Sequence, residues 1–542
     1  MQMVHVPVWI VLLSSTAGVF LSARQSLAAD ASDVGQIRFP VSASGTAQAK
    51  FNRAVAMLHS FWYDELDDAF SQVSGDDPRC GMAYWGLAMS YYHPLWAPPD
   101  TAALRKGWEA VQKAKEVGSG SQREKDYIAA IEVFYRDWDT ADYRTRSLAY
   151  SKAMEQLHQR YPDDKEAAVF YALSLIATAP PTDKTYANQK KAAEILERIR
   201  VEMPDHPGVI HYIIHAYDSP PLAHLALTAA RRYARVAPAV PHAQHMPSHI
   251  FTRLGLWEEC IQSNEGSVAS AKEYAQKTRM KAIWDEQVHS MDYLMYAALQ
   301  CAQDAKARSV LDEFNAIQKI SSESFKAAYP LAAIPARYAL ERRNWAEAAR
   351  LVPAAWMKLD RYPWAEAMIC FARGVGAARS GKLTAAQNEL ARIQTFHRGL
   401  VANKQQDWAV PTDILHRELA AWIALAEGKP AEARRLMTGA AELEDSTEKH
   451  PVTPGPIIPA REQLGDLLFE AKDPSAALRE FEASLRSAPN RFNGLYGAAK
   501  AARASDNTDK ARTYFAKLIE VCAHADTGRA ELEEARAFLK SK

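Results

Sequence analysis

Short runs with the same punctuation recur along almost the whole chain, and this self-similarity limits the fold more than any other feature. Tyr63-Asp64-Glu65-Leu66 leads into Ala69-Phe70, Val73 and Asp77-Pro78. Lys472-Asp473-Pro474 leads into Ala476-Ala477, Phe481 and Pro489, and Asn507-Thr508-Asp509-Lys510 into Ala511, Phe515 and Leu518. Gly255-Leu256-Trp257-Glu258 opens in the same way. Between these points apolar residues keep helical spacing, strand-type alternation is nearly absent, and Gly, Asp, Asn and Pro mark the breaks. A helical unit that cannot bury its apolar face alone must stack on copies of itself. The chain has 542 residues, more than one compact core usually supports, and that length suits an array.

These stretches resemble the tetratricopeptide repeat, a helix–turn–helix unit of about 34 residues. Tyr84, Leu87, Ala88 and Tyr91 match the first half of its motif; Arg461, Leu464, Gly465 and Leu468 match it less fully, without the aromatic. The resemblance implies an all-α, right-handed superhelical solenoid of about twelve units. The expected layout is N-terminal units over 47–206, central His-rich units over 207–320 and further units over 321–443. A Pro-rich break over 444–457 precedes a C-terminal pair with a capping helix over 458–542. The small residues have a purpose, because only Gly, Ala or Ser at the paired positions lets two helices approach closely.

The central units hold an unusual set of histidines. His211/His215 and His245/His249 each have helical i,i+4 spacing, and the second pair follows the first after 34 residues. That spacing places both rings of a pair on one helical face. In the tetratricopeptide family the first helix of each unit lines a concave groove. The resemblance implies that His59, His93, His211, His215, His242, His245, His249 and His289 fall on groove positions, eight of the sixteen histidines. Asp292 and Tyr296 continue the His289 face. Neighbouring helices stack ~8–10 Å apart, so imidazoles from adjacent units can converge on one small object.

Neutral imidazole is the commonest transition-metal ligand, and a His-rich set with one carboxylate suits Zn, Cu, Fe or Ni. The expected ligands are His211, His215, His245, His249, His289 and Asp292. A metal-free polar site for an anionic or peptide ligand is the first alternative reading of the cluster, and plain packing is the second. His59, His93, His242, Tyr296, Trp85 and Tyr92 are the expected contacts for an organic or peptide ligand, the two aromatics having ordinary core packing as their other reading. Pro247 lies between His245 and His249, where it either kinks a helix or opens a new one. Glu286 and Glu462 are the acids to inspect as distant bases, without support from spacing.

Lys+Arg and Asp+Glu stand at 65 each, a balance that argues against nucleic acid as a partner. There is no Gly-rich phosphate loop, nucleophile elbow, His-Glu-x-x-His pair or Cys-x-x-Cys motif. The apolar run from Val8 to Leu21, with small residues around Ser26-Leu27-Ala28, reads as a secretory signal over 1–28, followed by a flexible segment over 29–46. A retained membrane anchor is the other reading of that run. With the signal removed no integral membrane span is expected, and the protein is expected to be exported, periplasmic or extracellular. The five dispersed cysteines do not form a disulfide framework, so an exported chain needs them buried. Three functions fit these features. One is a solenoid binding a protein, peptide or small molecule in its groove with a His-ligated metal centre. The second is a metal-dependent hydrolase or oxidase using that centre, and the third a metal-free scaffold for envelope assembly.

Overall fold

A computed structural model describes residues 33–95 and 98–541. The expected signal over 1–28 lies outside the described residues. The described chain is a succession of helical hairpins, each helix packed mainly on its neighbours in sequence. It contains no strand; an isolated parallel bridge joins Ile283 and Ile320. The all-α solenoid of stacked helix–turn–helix units follows from the apolar spacing described above.

Seven helices build the centre. They are α1 (Gly45–His59), α2 (Pro207–Tyr217), α3 (Pro241–His245), α4 (Pro247–Leu254), α5 (Trp257–Lys277), α6 (Asp285–Gln300) and α7 (Phe325–Glu341). Proline occupies the first turn of α2, α3 and α4, where a missing N–H costs nothing. At the α3–α4 junction Met246 keeps right-handed helical dihedrals, so Pro247 divides one helical run into two short segments. His242 and His245 therefore sit on α3 and His249 on α4. Every residue of α6 is buried, which explains why its sequence carries little amphipathic signal.

Small residues set the helix spacing as expected. A Cβ on Gly86 would lie 2.1 Å from the Phe70 ring, and one on Gly497 would lie 2.4 Å from the Phe481 ring. All five cysteines are buried and free. No described helix is long and apolar enough to cross a membrane.

The stack also closes on itself, which the repeat pattern does not encode. Residues 33–41 run back over the start of α2, where Gln36 N–H donates to the Asp205 carbonyl at 3.0 Å. At the other end, Asn490 Nδ2 donates to the Gly255 carbonyl at 3.1 Å and Trp257 Nε1 to the Asn490 carbonyl at 2.8 Å. The Pro-rich stretch 444–457 interrupts the helices and then threads between these parts as a strap. Val452 to Gly455 are buried. Arg337, itself fully buried, donates to the carbonyls of Pro456 at 2.7 Å and Gly455 at 2.8 Å.

Candidate metal centre

Six imidazoles meet where α2, α3, α4 and α6 come together. His211 and His215 project from one face of α2, and their Nε2 atoms are 3.1 Å apart. His245 and His249 keep the i,i+4 relation across the α3–α4 junction, with Nε2 atoms 3.2 Å apart. His242 reaches the first pair, its ring centroid 5.2 Å from that of His211. His289 reaches the second, 4.4 Å from His245. Five of the six are at most 5% exposed, and His215 is the half-buried one. The sequence reading thus brings together five of its six expected ligands, with His242, expected as a ligand contact, among them.

The other nitrogen of four of these rings is held by an oxygen. His211 Nδ1 donates to the His59 carbonyl at 2.7 Å, at the end of α1. His245 Nδ1 donates to Asn264 Oδ1 on α5 at 2.7 Å, and Asn264 is oriented by its own Nδ2 donating to the Cys260 carbonyl. His249 Nδ1 meets Asp218 Oδ2 at 3.0 Å, and His242 Nδ1 meets Glu286 Oε1 at 3.0 Å. Such outer partners fix the tautomer and aim the remaining lone pair of each ring.

Charge is balanced around the cluster. Burial alone would raise the Asp218 carboxyl, yet Lys449, Arg253 and His249 hold it well below the usual carboxylate range. Lys449 Nζ lies 2.9 Å from Asp218 Oδ2 and Arg253 Nε 2.8 Å from Oδ1. Glu286 is likewise held low against its burial by Lys326, 3.2 Å away, and by His242. Burial, followed by the neighbouring imidazoles, pushes His211, His215 and His245 well below the ordinary histidine value. His249 falls to about 4, burial outweighing the pull of Asp218. These rings are neutral near pH 7.

Neutral rings with Nδ1–H fixed have a defined chemistry. His245 and His249 both point an Nε2 lone pair at the other, and neither has a proton to place between them. Tyr293 Oη, 3.3 Å from His249 Nε2, can donate there but not into the gap. Two nitrogens bound to one tetrahedral ion at 2.0–2.1 Å lie roughly 3.3 Å apart, close to the spacing found. The His211/His215 pair differs, because His215 can carry its proton on Nε2 and donate it.

The remaining expected site residues lie elsewhere. Asp292 falls in neither histidine group; its Oδ1 is 3.2 Å from Arg337 Nε, so the carboxylate expected as a ligand takes part in an ion pair. Tyr296 accepts a hydrogen bond from Arg491 Nη1 at 2.7 Å and lies under the Arg337 guanidinium. Trp85 and Tyr92 are at most 1% exposed and sit among aromatic rings of the N-terminal core. The His93 ring lies tilted against that of Tyr63, centroids 4.0 Å apart, and burial lowers its pKa to about 4. His59 belongs to a separate closed network. Its Nε2 and that of His206 contact the two oxygens of Glu166 at 2.9 Å each, its Nδ1 contacts Tyr212 Oη at 3.0 Å, and His206 Nδ1 caps α2. That group has the atom spacing of a metal site but no ligand atom left uncommitted. Of the two acids named for inspection, Glu286 stands beside the cluster and Glu462 pairs with Arg491. Asp218, Arg253 and Tyr293 lie within four residues of His215, His249 and His289, but the contacts they make cross between segments, and Asn264 and Lys449 come from other parts of the chain, so none carried a sequence signal.

No protein-family profile matches the chain, and no curated protein matches it. Among solved structures it is similar to the APC/C hetero-tetramer Cut9–Hcn1, with 11% identity over 91% of this chain and 83% of that one and a TM-score of 0.31. It is also similar to the human IFIT1 dimer with m7Gppp-AAAA, with 9% identity over 92% of this chain and 100% of that one and a TM-score of 0.34. Superpositions this loose carry no argument about ligand or activity.

Proposed function

We propose that the chain is a helical-repeat metalloprotein whose central helices hold a transition-metal centre through buried imidazoles. The observation that supports this reading is the opposition of His245 and His249. Two neutral acceptors face each other at 3.2 Å inside the protein, a repulsive arrangement that a shared cation turns into an attractive one. The outer shell of Asn264, Asp218, Glu286 and the His59 carbonyl is the kind that orients metal-bound imidazoles. Packing alone does not require lone pairs to be aimed at one another. Three imidazoles around an ion also leave a coordination position open, which is the basis for hydrolytic or oxidative chemistry at the centre.

The double variant His245→Ala with His249→Ala tests the reading. It should bind less metal than the wild type while its far-UV circular dichroism stays that of the wild type. A folded double variant that binds as much metal as wild type would sink the proposal. We also place the protein outside the cytoplasm, on the strength of the apolar N-terminal run and of thiols that are all buried. N-terminal sequencing of the protein recovered from its native host checks this, since an intact Met1 on soluble cytoplasmic material would contradict it.

A further inference from the structure

The ligand atoms of the cluster sort into two groups of three rather than one group of six. His211, His215 and His242 form one, and His245, His249 and His289 the other, each with its ligand atoms within 4.8 Å of one another. The groups adjoin. The His215 and His249 rings are 6.0 Å apart, as are those of His242 and His245. We propose that the centre takes two ions, one per histidine triad, and that both are copper. This inference rests on the metal reading above and adds the number and identity of the ions.

Four features carry it. First, one ion with ligands at about 2.0–2.1 Å keeps them within about 4.2 Å of each other; each triad, within 4.8 Å, needs only a small contraction to reach that span, whereas the six rings do not form one such group. Second, each triad has its own outer shell: the His59 carbonyl and Glu286 serve the first, Asn264 and Asp218 the second. Third, each of those carboxylates has its own partly buried cation, Lys326 for Glu286 and Lys449 with Arg253 for Asp218. The scaffold has built the same arrangement twice. Fourth, neither triad contains a carboxylate or thiolate. An all-imidazole set leaves out Mg, Ca and Mn, which take oxygen ligands, and lacks the carboxylate of the two-His-one-carboxylate iron sites. Among the remaining divalent ions copper binds nitrogen most tightly.

The short α3–α4 connection explains how one chain segment serves both ions. Pro247 breaks the helix between His245 and His249, and α3 gives His242 to one triad and His245 to the other. A continuous straight helix would carry positions 242, 245 and 249 along a single face.

Copper loading of the full-length, tag-free protein tests the proposal. Apo-protein is incubated with excess Cu(II) and an equal concentration of Zn(II), desalted, and assayed for metal per chain, with spin integration of the Cu(II) resonance. Wild type should retain two copper ions. His211→Ala with His215→Ala, and His245→Ala with His249→Ala, should each retain one, with a signal integrating to one spin per chain. His215→Asn, at the half-buried position, should also fall to one and guards against a double variant that does not fold. A wild type holding a single ion, two ions that survive any of these variants, or zinc retained in place of copper would overturn the two-copper assignment while leaving a metalloprotein. A wild type that holds no metal would overturn the metal reading itself.

Discussion

Asp218 accepts hydrogen bonds from His249, Arg253 and Lys449 from a side chain only 9% exposed. Asp218→Asn leaves two cations facing each other with their counter-charge removed, a change expected to cost about 3–5 kcal/mol of stability. It also weakens the acceptor that orients His249, so metal affinity should drop ~10–100-fold. Denaturant titration and metal competition read the two effects separately. Glu418 makes a pH-dependent case away from the centre. It is 1% exposed, and burial, then the charge of Glu444, raises its carboxyl well above the ordinary glutamate value. Because the folded state holds this proton more tightly, its contribution is full below the unfolded value, about 4.3, and is lost as pH rises through the folded one. Unfolding free energy measured across that range should therefore fall more steeply in wild type than in Glu418→Gln. At this scale the sequence was readable wherever a ligand lay one helical turn from its partner, as with His211/His215 and His245/His249. The ion pair of Asp292 was not legible because its partner, Arg337, lies 45 residues away on another helix. Asp218 and Lys449, 231 residues apart, were invisible for the same reason.

Among the helices, the approach of α1 and α2 is set by one missing side chain. A Cβ on Gly208 would lie 2.4 Å from Nδ1 of His59, in a fully buried contact where neither partner can retreat. Gly208→Ala should cost about 1–3 kcal/mol by overpacking. It should also push away the His59 carbonyl that holds His211, so its signature is a lower melting temperature together with weaker metal retention. The helices themselves were legible from apolar spacing, and the small residues at their crossings from the repeat. The division of 241–254 was legible only as a choice, because Pro247 suits both a kinked helix and a new first turn. Contacts of His245 with α5 and of His249 with the loop after α2 decide where each ring points, and those lie outside the repeat pattern.

Across the whole molecule, the feature the sequence did not disclose is closure. Open repeat stacks present a concave face, whereas here the 444–457 strap, the N-terminal segment and the Asn490 turn cover the central helices. Turn chemistry marked 444–457 as a break between helices, but the partners that bury it come from Tyr293, Tyr329 and Arg337. Arg337→Met removes the guanidinium that binds Gly455, Pro456 and Asp292 and leaves Asp292 buried and unpaired. The expected loss is about 3–5 kcal/mol. Limited proteolysis should cut the variant within 444–457 at protease levels that leave wild type intact. Closure also suits the proposed metal site, because it dehydrates His211, His215, His245 and His249 and keeps them neutral near pH 7. The most direct test of that claim is elemental analysis of mature, tag-free protein purified without chelator. Zn, Cu, Fe or Ni bound at one or more equivalents per chain is the predicted result. Protein that is empty as isolated, and stays empty after incubation with each of these ions, would contradict it.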